Sequence, residues 1–234
     1  MNIEAFRKAF WDHFKGKERN DPDYSHWDPI VSSQIDLCPQ VEGMISIKKQ
    51  QLLNLAFRFL DEGEAYFEVG TYQGKSLLSA ILNNPRRPVY ACDNFSQFDV
   101  NSFRITRANL DRYGLFDRVV FFDADFLTVY DTAHLPVPLG LYFYDGAHDD
   151  ASQYAGIKLV EPFLADEALV IVDDWRFAPD SQSHAKAATL RAIAESAHDW
   201  KLLYELPARF NGDRAMWWNG VGVLSFRRNK AAIQ

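Results

Sequence analysis

The sequence of 234 residues holds only two cysteines, Cys38 and Cys92. That number excludes a framework of several disulfides, and their spacing matches no zinc motif, so two reduced thiols are expected. Nowhere do eighteen consecutive apolar residues occur, which excludes an evident membrane-spanning helix. The opening Met1-Asn2-Ile3-Glu4-Ala5-Phe6-Arg7-Lys8 lacks the uninterrupted apolar centre of a signal peptide. A soluble, cytoplasmic protein is therefore expected. Runs of Lys and Arg are missing too, and the formal charge of −7 speaks against a nucleic-acid partner, whose phosphates require a basic surface. There is no internal repeat and no low-complexity tract. What remains is rich in apolar and aromatic residues, 47% and 15% of the chain, enough to bury the core of one α/β domain.

Residues 1–45 read as a helical and irregular cap. Ile3, Phe6, Phe10, Trp11 and Phe14 recur at helical spacing, and the stretch from Gly16 to about Pro39 is rich in Asp, Pro and Ser. Residues 46–234 read as one domain that opens with a helical pattern over 46–60. Seven short apolar runs follow, at 65–69, 89–92, 119–122, 141–144, 168–172, 201–206 and 221–226. Helical patterns at 75–82, 102–113, 151–163 and 184–196 lie between them, with none between the third run and the fourth. Such alternation predicts a mostly parallel, Rossmann-like sheet with helices on both faces. The last two runs are joined by too short a loop for a crossover, so the final strand should be antiparallel.

In such a sheet, ligands bind at the carboxyl ends of the strands. The first strand ends in Phe67-Glu68-Val69-Gly70-Thr71-Tyr72-Gln73-Gly74-Lys75-Ser76. Gly70 and Gly74 permit a tight turn into the next helix, whose free N–H groups suit an anionic group such as a carboxylate. Ser76 adds a hydroxyl donor. This spacing differs from the dinucleotide pattern G-x-G-x-x-G. At the second strand end, Asp93 suits the two hydroxyls of a ribose. At the third, Asp123-Ala124-Asp125 offers groups to an adenine edge. Each acid also has an ordinary alternative as a solvated loop residue or a helix cap.

The fourth and fifth runs end in Asp145-Gly146-Ala147-His148 and Asp173-Asp174-Trp175. Asp145, Asp173 and Asp174 should meet at one cleft, an unfavourable gathering unless protons or a cation neutralise it. Oxygen donors of this kind select Mg²⁺ or another hard divalent cation. The alternative is that Asp174 points to solvent or caps a helix. His148 faces the same cleft and can take up a proton near neutral pH. His13, His26, His134, His184 and His198 have no comparable setting and read as structural.

These residues resemble class I S-adenosylmethionine-dependent methyltransferases and, within them, the metal-dependent O-methyltransferases of the catechol type. The resemblance spans roughly residues 46–227 and rests on Glu68 through Ser76 with the acids at successive strand ends. It implies a cofactor site made of Glu68, Gly70, Thr71, Tyr72, Gly74, Ser76, Asp93, Asn94, Asp123, Ala124, Asp125 and Asp145. It implies metal ligation by Asp145, Asp173 and Asp174, and catalysis by His148 with Asp145. The chain departs from the catechol pattern at two points. Asp174 stands where that group usually has Asn, and His148 stands where it usually has a catalytic Lys. Both features are similar to the branch that methylates sugar hydroxyls of macrolide and aminocoumarin-type natural products.

The implied reaction transfers a methyl group to a hydroxyl of a small molecule, with Mg²⁺ lowering the hydroxyl pKa and His148 taking the proton. Tyr72 and Trp175 are candidates for the aromatic faces that favour the sulfonium. Residues 94–100 and 208–219, with Trp217 and Trp218, are candidates for the acceptor wall; a homo-oligomer is equally compatible with their aromatic content. Three alternatives stand beside this reading: a metal-independent methyltransferase, a non-catalytic cofactor-binding protein of the same fold, and a nicotinamide-dependent oxidoreductase. The last leaves the acid cluster without a purpose.

Overall fold

The computed structural model describes residues 1–15, 28–29, 35–97, 101–130, 135, 137–175 and 183–230. His26, His134, most of the irregular connection and residues 98–100 of the expected acceptor wall lie outside the described residues. Seven strands form one sheet: β1 (Ala65–Val69), β2 (Val89–Asp93), β3 (Val119–Asp123), β4 (Leu139–Tyr144), β5 (Leu164–Asp173), β6 (Asp199–Leu206) and β7 (Val221–Arg227). Their order is β3-β2-β1-β4-β5-β7-β6. The pairs among β1 to β5 are parallel, and β7 runs antiparallel to both β5 and β6. The strand order reverses between β1 and β4, which opens a crevice at their carboxyl ends.

Among the described residues, six α-helices cover the sheet: α1 (Ile3–His13), α2 (Ile47–Phe57), α3 (Lys75–Ile81), α4 (Ser102–Arg112), α5 (Asp150–Lys158) and α6 (His184–Ala194). Side chains cap five of them. Asn2, Ser46, Asn101, Asp149 and Ser183 each accept from a backbone N–H of the first turn. Helix α3 differs, starting at Gly74 in a left-handed conformation with no side-chain cap. The central strands β1 and β4 are buried at every residue, as strands covered on both faces must be.

Two boundaries differ from the periodicity by four residues or more. Helix α5 ends at Lys158 and a single 3₁₀ turn follows over Glu161–Phe163, because Pro162 cannot donate to a continuing helix. Strand β5 begins at Leu164, ahead of the apolar run, with Asp166 and Glu167 inside it. Those two acids are paired with Arg227 at the end of β7 and with Arg228 and Lys230 just after it.

Helix α1 is tied to the far end of the chain. Its Phe10 stacks on Tyr204 of β6 with ring centroids 4.1 Å apart, and Phe14, just beyond it, packs against Trp217 at 5.2 Å. Phe6, Phe10 and Phe14 are all buried in one core with α2 and the sheet. Among the described residues, no helix is long and apolar enough to cross a membrane.

Candidate active site

The crevice begins where the chain leaves β1. The Asp145 amide donates to the Val69 carbonyl at 2.8 Å, and the Gly70 amide donates to the Cys92 carbonyl at 2.9 Å. Gly70, with φ at +84°, is thus clasped between the ends of β2 and β4. A Cβ on Gly70 would lie 1.9 Å from the Asp145 carbonyl oxygen, so no other residue fits. Asp93 braces the turn from the neighbouring strand. Its Oδ2 accepts from the amides of Thr71 (2.8 Å) and Tyr72 (2.7 Å), and its Oδ1 from Phe95 (2.7 Å). Those loop amides are engaged within the chain, so Asp93 is both a cavity wall and the turn's internal anchor.

Beneath the loop lies a closed polar cluster. Ser76 donates to Glu68 Oε1 at 2.7 Å and Tyr66 to its Oε2 at 2.5 Å, with Glu68 fully buried. Burial pushes the Glu68 carboxyl up to about 8, against the two hydroxyl bonds that favour its charge. From the other side, α4 supports the loop: Thr106 donates to the Tyr72 carbonyl at 2.6 Å and Asn109 to that of Gln73 at 2.9 Å. The sequence did not single out these two supports, because they are two more polar residues in a helix that is polar over most of its length.

A cavity of about 630 Å³ opens above the loop, within the range usual for ligand sites. Of the expected cofactor residues, Gly70, Tyr72, Asp93, Asn94, Ala124, Asp125 and Asp145 line it. Glu68 and Ser76 sit below the loop, while Thr71 and Gly74 shape its backbone. Asp123 pairs in register with Asp93 at the sheet edge and does not line the cavity. Asp125 accepts from the Leu127 amide at 2.9 Å, capping a short 3₁₀ turn.

The other half of the cavity is acidic. Asp145, Asp173, Asp174 and His148 all line it. His148 Nε2 stands 3.2 Å from Asp174 Oδ2 and 3.5 Å from Asp145 Oδ1. Burial alone would lower the imidazole's pKa, but the bond to Asp145 and the surrounding carboxylates outweigh it and raise His148 to about 9. Burial pushes the Asp145 carboxyl up, partly offset by His148 and Lys49. It pushes Asp173 further, with the charge of Asp145 adding to the effect. Asp174 adopts φ of +51°, turning its amide onto Asp173 Oδ1 at 2.7 Å.

Two residues that the sequence did not single out complete this half. Lys49 of α2 is wholly buried and donates to Asp173 Oδ1. Asn219, in the connection between β6 and β7, donates to Asp174 Oδ1 at 2.5 Å and accepts from the Gly212 amide at 2.7 Å. Lys49 comes from a helix far from the strand ends in sequence and nothing local marks it, whereas Asn219 closes the 208–219 segment expected at the acceptor wall, two residues before β7. The three tryptophans that the sequence offered for the site, out of six in the chain, divide. Trp218 lines the cavity, whereas Trp217 is fully buried against Phe14. Trp175 is buried with its indole N–H on Glu205, leaving Tyr72 as the aromatic of the proposed sulfonium pair that lines the cavity. Of the remaining histidines, His13 and His198 have edge contacts with Phe14 and Phe226, and His184 opens α6.

Strand order, with parallel β1 to β5 and an antiparallel β7, is that of the Rossmann-like methyltransferase fold. The comparisons agree in two ways. Residues 67–175 match the model of a family described as a methyltransferase domain. In fold, the chain is similar to the solved structure of cofactor-bound Rv0187 from MTB, at 22% identity over 85% of this chain and 87% of that one, with a TM-score of 0.59. It is also similar to the O-methyltransferase TomG of Streptomyces achromogenes, involved in tomaymycin synthesis and solved with SAM (17%, 82% and 83%, TM-score 0.59). A third likeness is to an O-methyltransferase from Bacillus cereus in complex with SAH (16%, 77% and 79%, TM-score 0.55). A search of the curated proteins returns no match.

Proposed function

We propose that the protein transfers the methyl group of S-adenosylmethionine to a hydroxyl oxygen of a small molecule, with the His148–Asp145 pair receiving the hydroxyl proton. One observation carries this reading: a half walled by Gly70, Asp93 and Ala124 is continuous, in a single cavity, with an acidic half holding a histidine. The negative half suits a sulfonium. The acceptor oxygen attacks the methyl carbon, the carbon–sulfur bond breaks, and its electron pair leaves with neutral S-adenosylhomocysteine.

A neutral hydroxyl is a poor nucleophile, so a base must take its proton as the new bond forms. In the cofactor-free chain His148, raised to about 9, carries a proton at neutral pH. An arriving sulfonium opposes that charge, so cofactor binding favours release of the proton and leaves a neutral imidazole facing the acceptor. Asp145, within 3.5 Å of the ring, then stabilises the imidazolium that catalysis regenerates. Holding oxygen and methyl in line contributes on the order of 7–11 kcal/mol.

A divalent cation on Asp145, Asp173 and Asp174, which the resemblance implies, does not fit the donors as they stand. Asp173 Oδ1 is taken by the Lys49 ammonium and the Asp174 amide, Asp174 Oδ1 by Asn219, and His148 lies between Asp145 and Asp174. Among the described residues, no group of three or more His, Cys, Asp or Glu has the arrangement to hold a metal ion. The acceptor wall of Met44, Phe95 and Trp218 favours a ring-bearing hydroxyl compound, a sugar or a catechol-like molecule, over a nucleic acid.

The test is incubation with methyl-labelled cofactor and a panel of sugar, phenol and amine acceptors, with products resolved by mass spectrometry. Label is expected on oxygen, with one proton released to buffer per turnover. Label appearing only on nitrogen would overturn the reading, as would cofactor binding with no transfer to any acceptor.

A further inference from the structure

Methyl transfer as described makes no use of Lys49, yet it is an expensive residue to place. Lysine is almost never fully buried unless paired, and taking an ammonium out of water costs several kcal/mol before its partner repays any of it. Lys49 has no accessible surface, and its Nζ lies against Asp173. Its backbone is fixed as well: the Lys49 amide donates to the capping hydroxyl of Ser46 at 3.2 Å, in the first turn of a helix buried on every side. The ammonium is therefore delivered to one point with little freedom.

That point is the back of the acid cluster. Asp173 faces Lys49 with one oxygen and also lines the cavity beside Asp145 and Asp174. Carboxylates gathered this closely repel one another unless positive charge lies among them. Lys49 supplies it from one side and His148 from the other. We infer that Lys49 is a positioning residue whose ammonium takes, from within the chain, the electrostatic part that a divalent cation would otherwise play at these acids. The site operates without a metal, and removing the lysine's charge turns the cluster into a cation site. Only the turnover arm of the test below rests on the methyl-transfer reading.

Binding of Mn²⁺ to the cofactor-free protein, followed by electron paramagnetic resonance, checks this without any need for turnover. The intact chain is expected to take up no stoichiometric Mn²⁺ at submillimolar concentration. K49M is expected to bind one per chain, at least tenfold more tightly, and K49M/D173N to lose it. K49R, which keeps the cation, is expected to stay free of metal. One Mn²⁺ per intact chain, removed by D145N, would overturn the inference, and so would a folded K49M that binds none. Should K49M fail to fold, the intact chain and K49R decide. In the turnover arm, kcat is expected to be unaffected by EDTA, and stimulation by added Mg²⁺ counts against the inference. Absence of turnover with every acceptor, alongside the expected Mn²⁺ pattern, would sink the methyl-transfer reading and leave this one standing.

Discussion

The two halves of the cavity are built in different ways. On the nucleoside side, β1, its glycine turn and Asp93 are neighbours in the sheet, and the contacts are largely backbone amides on a carboxylate. On the acidic side, most contacts are side chain to side chain, and two of them join remote segments. Lys49 lies 124 residues from Asp173, and Asn219 lies 45 from Asp174. A site for an invariant cofactor can be fixed by strand register. In the proposed reaction the acceptor and its proton need charges placed singly, and these come from whichever helix or hairpin reaches them.

The sharpest way to break the comparison is at the glycine clasp. G70A places a methyl group on the Asp145 carbonyl in a left-handed backbone, and it should cost about 2–5 kcal/mol in stability. Calorimetry should also find no S-adenosylhomocysteine binding. A normal melting temperature with normal affinity would show that β1 and β4 are not clasped here. On the other half, D145N should leave that affinity nearly intact while lowering kcat by about 10²–10⁴-fold. Equal losses in binding and rate would merge the two halves into one unit.

This division also explains what the sequence could and could not disclose. All seven strands, and the turn at Gly70, are legible because alternating apolar runs and a glycine pair are local signals. That Asp145, Asp173 and Asp174 meet follows from strand order alone, since parallel strands bring their ends to one edge. What compensates them does not follow. A lysine in a helical pattern reads as solvated, and only tertiary packing makes every side of α2 an interior face. Trp217 and Trp218 illustrate the same limit. They are adjacent and alike in composition, yet one packs on Phe14 and the other faces the cavity, because Trp218 takes φ of +62° in a tip closed by the Asp213–Trp218 bridge.

A smaller effect is expected at Asn219. N219A strips Asp174 Oδ1 of its amide donor and frees a left-handed aspartate to turn away, which should lower kcat/KM about tenfold. The loss should fall on the acceptor and spare cofactor affinity. Weakened cofactor binding instead would mean that the β6–β7 connection reaches across both halves.

The smallest effect lies beneath the loop and concerns stability alone. Glu68 has its carboxyl raised from the ordinary range to about 8, and His148 its imidazole from about 6.5 to about 9. In both cases the folded chain holds a proton that the unfolded chain releases, so the contribution is fullest at low pH and fades as pH rises. For Glu68 the fading runs from about 4.5 to 8, and for His148 from about 6.5 to 9. Melting temperature should therefore fall as the pH rises from 5 to 9. E68Q keeps the shape of the side chain, can still meet Tyr66 and Ser76, and carries no charge to bury. It should flatten the lower part of that decline and melt above the parent chain at pH 9. H148Q should flatten only the upper part. If E68Q instead runs parallel to the parent across the whole range, Glu68 is not the buried acid that gives the floor of the cofactor half its pH dependence.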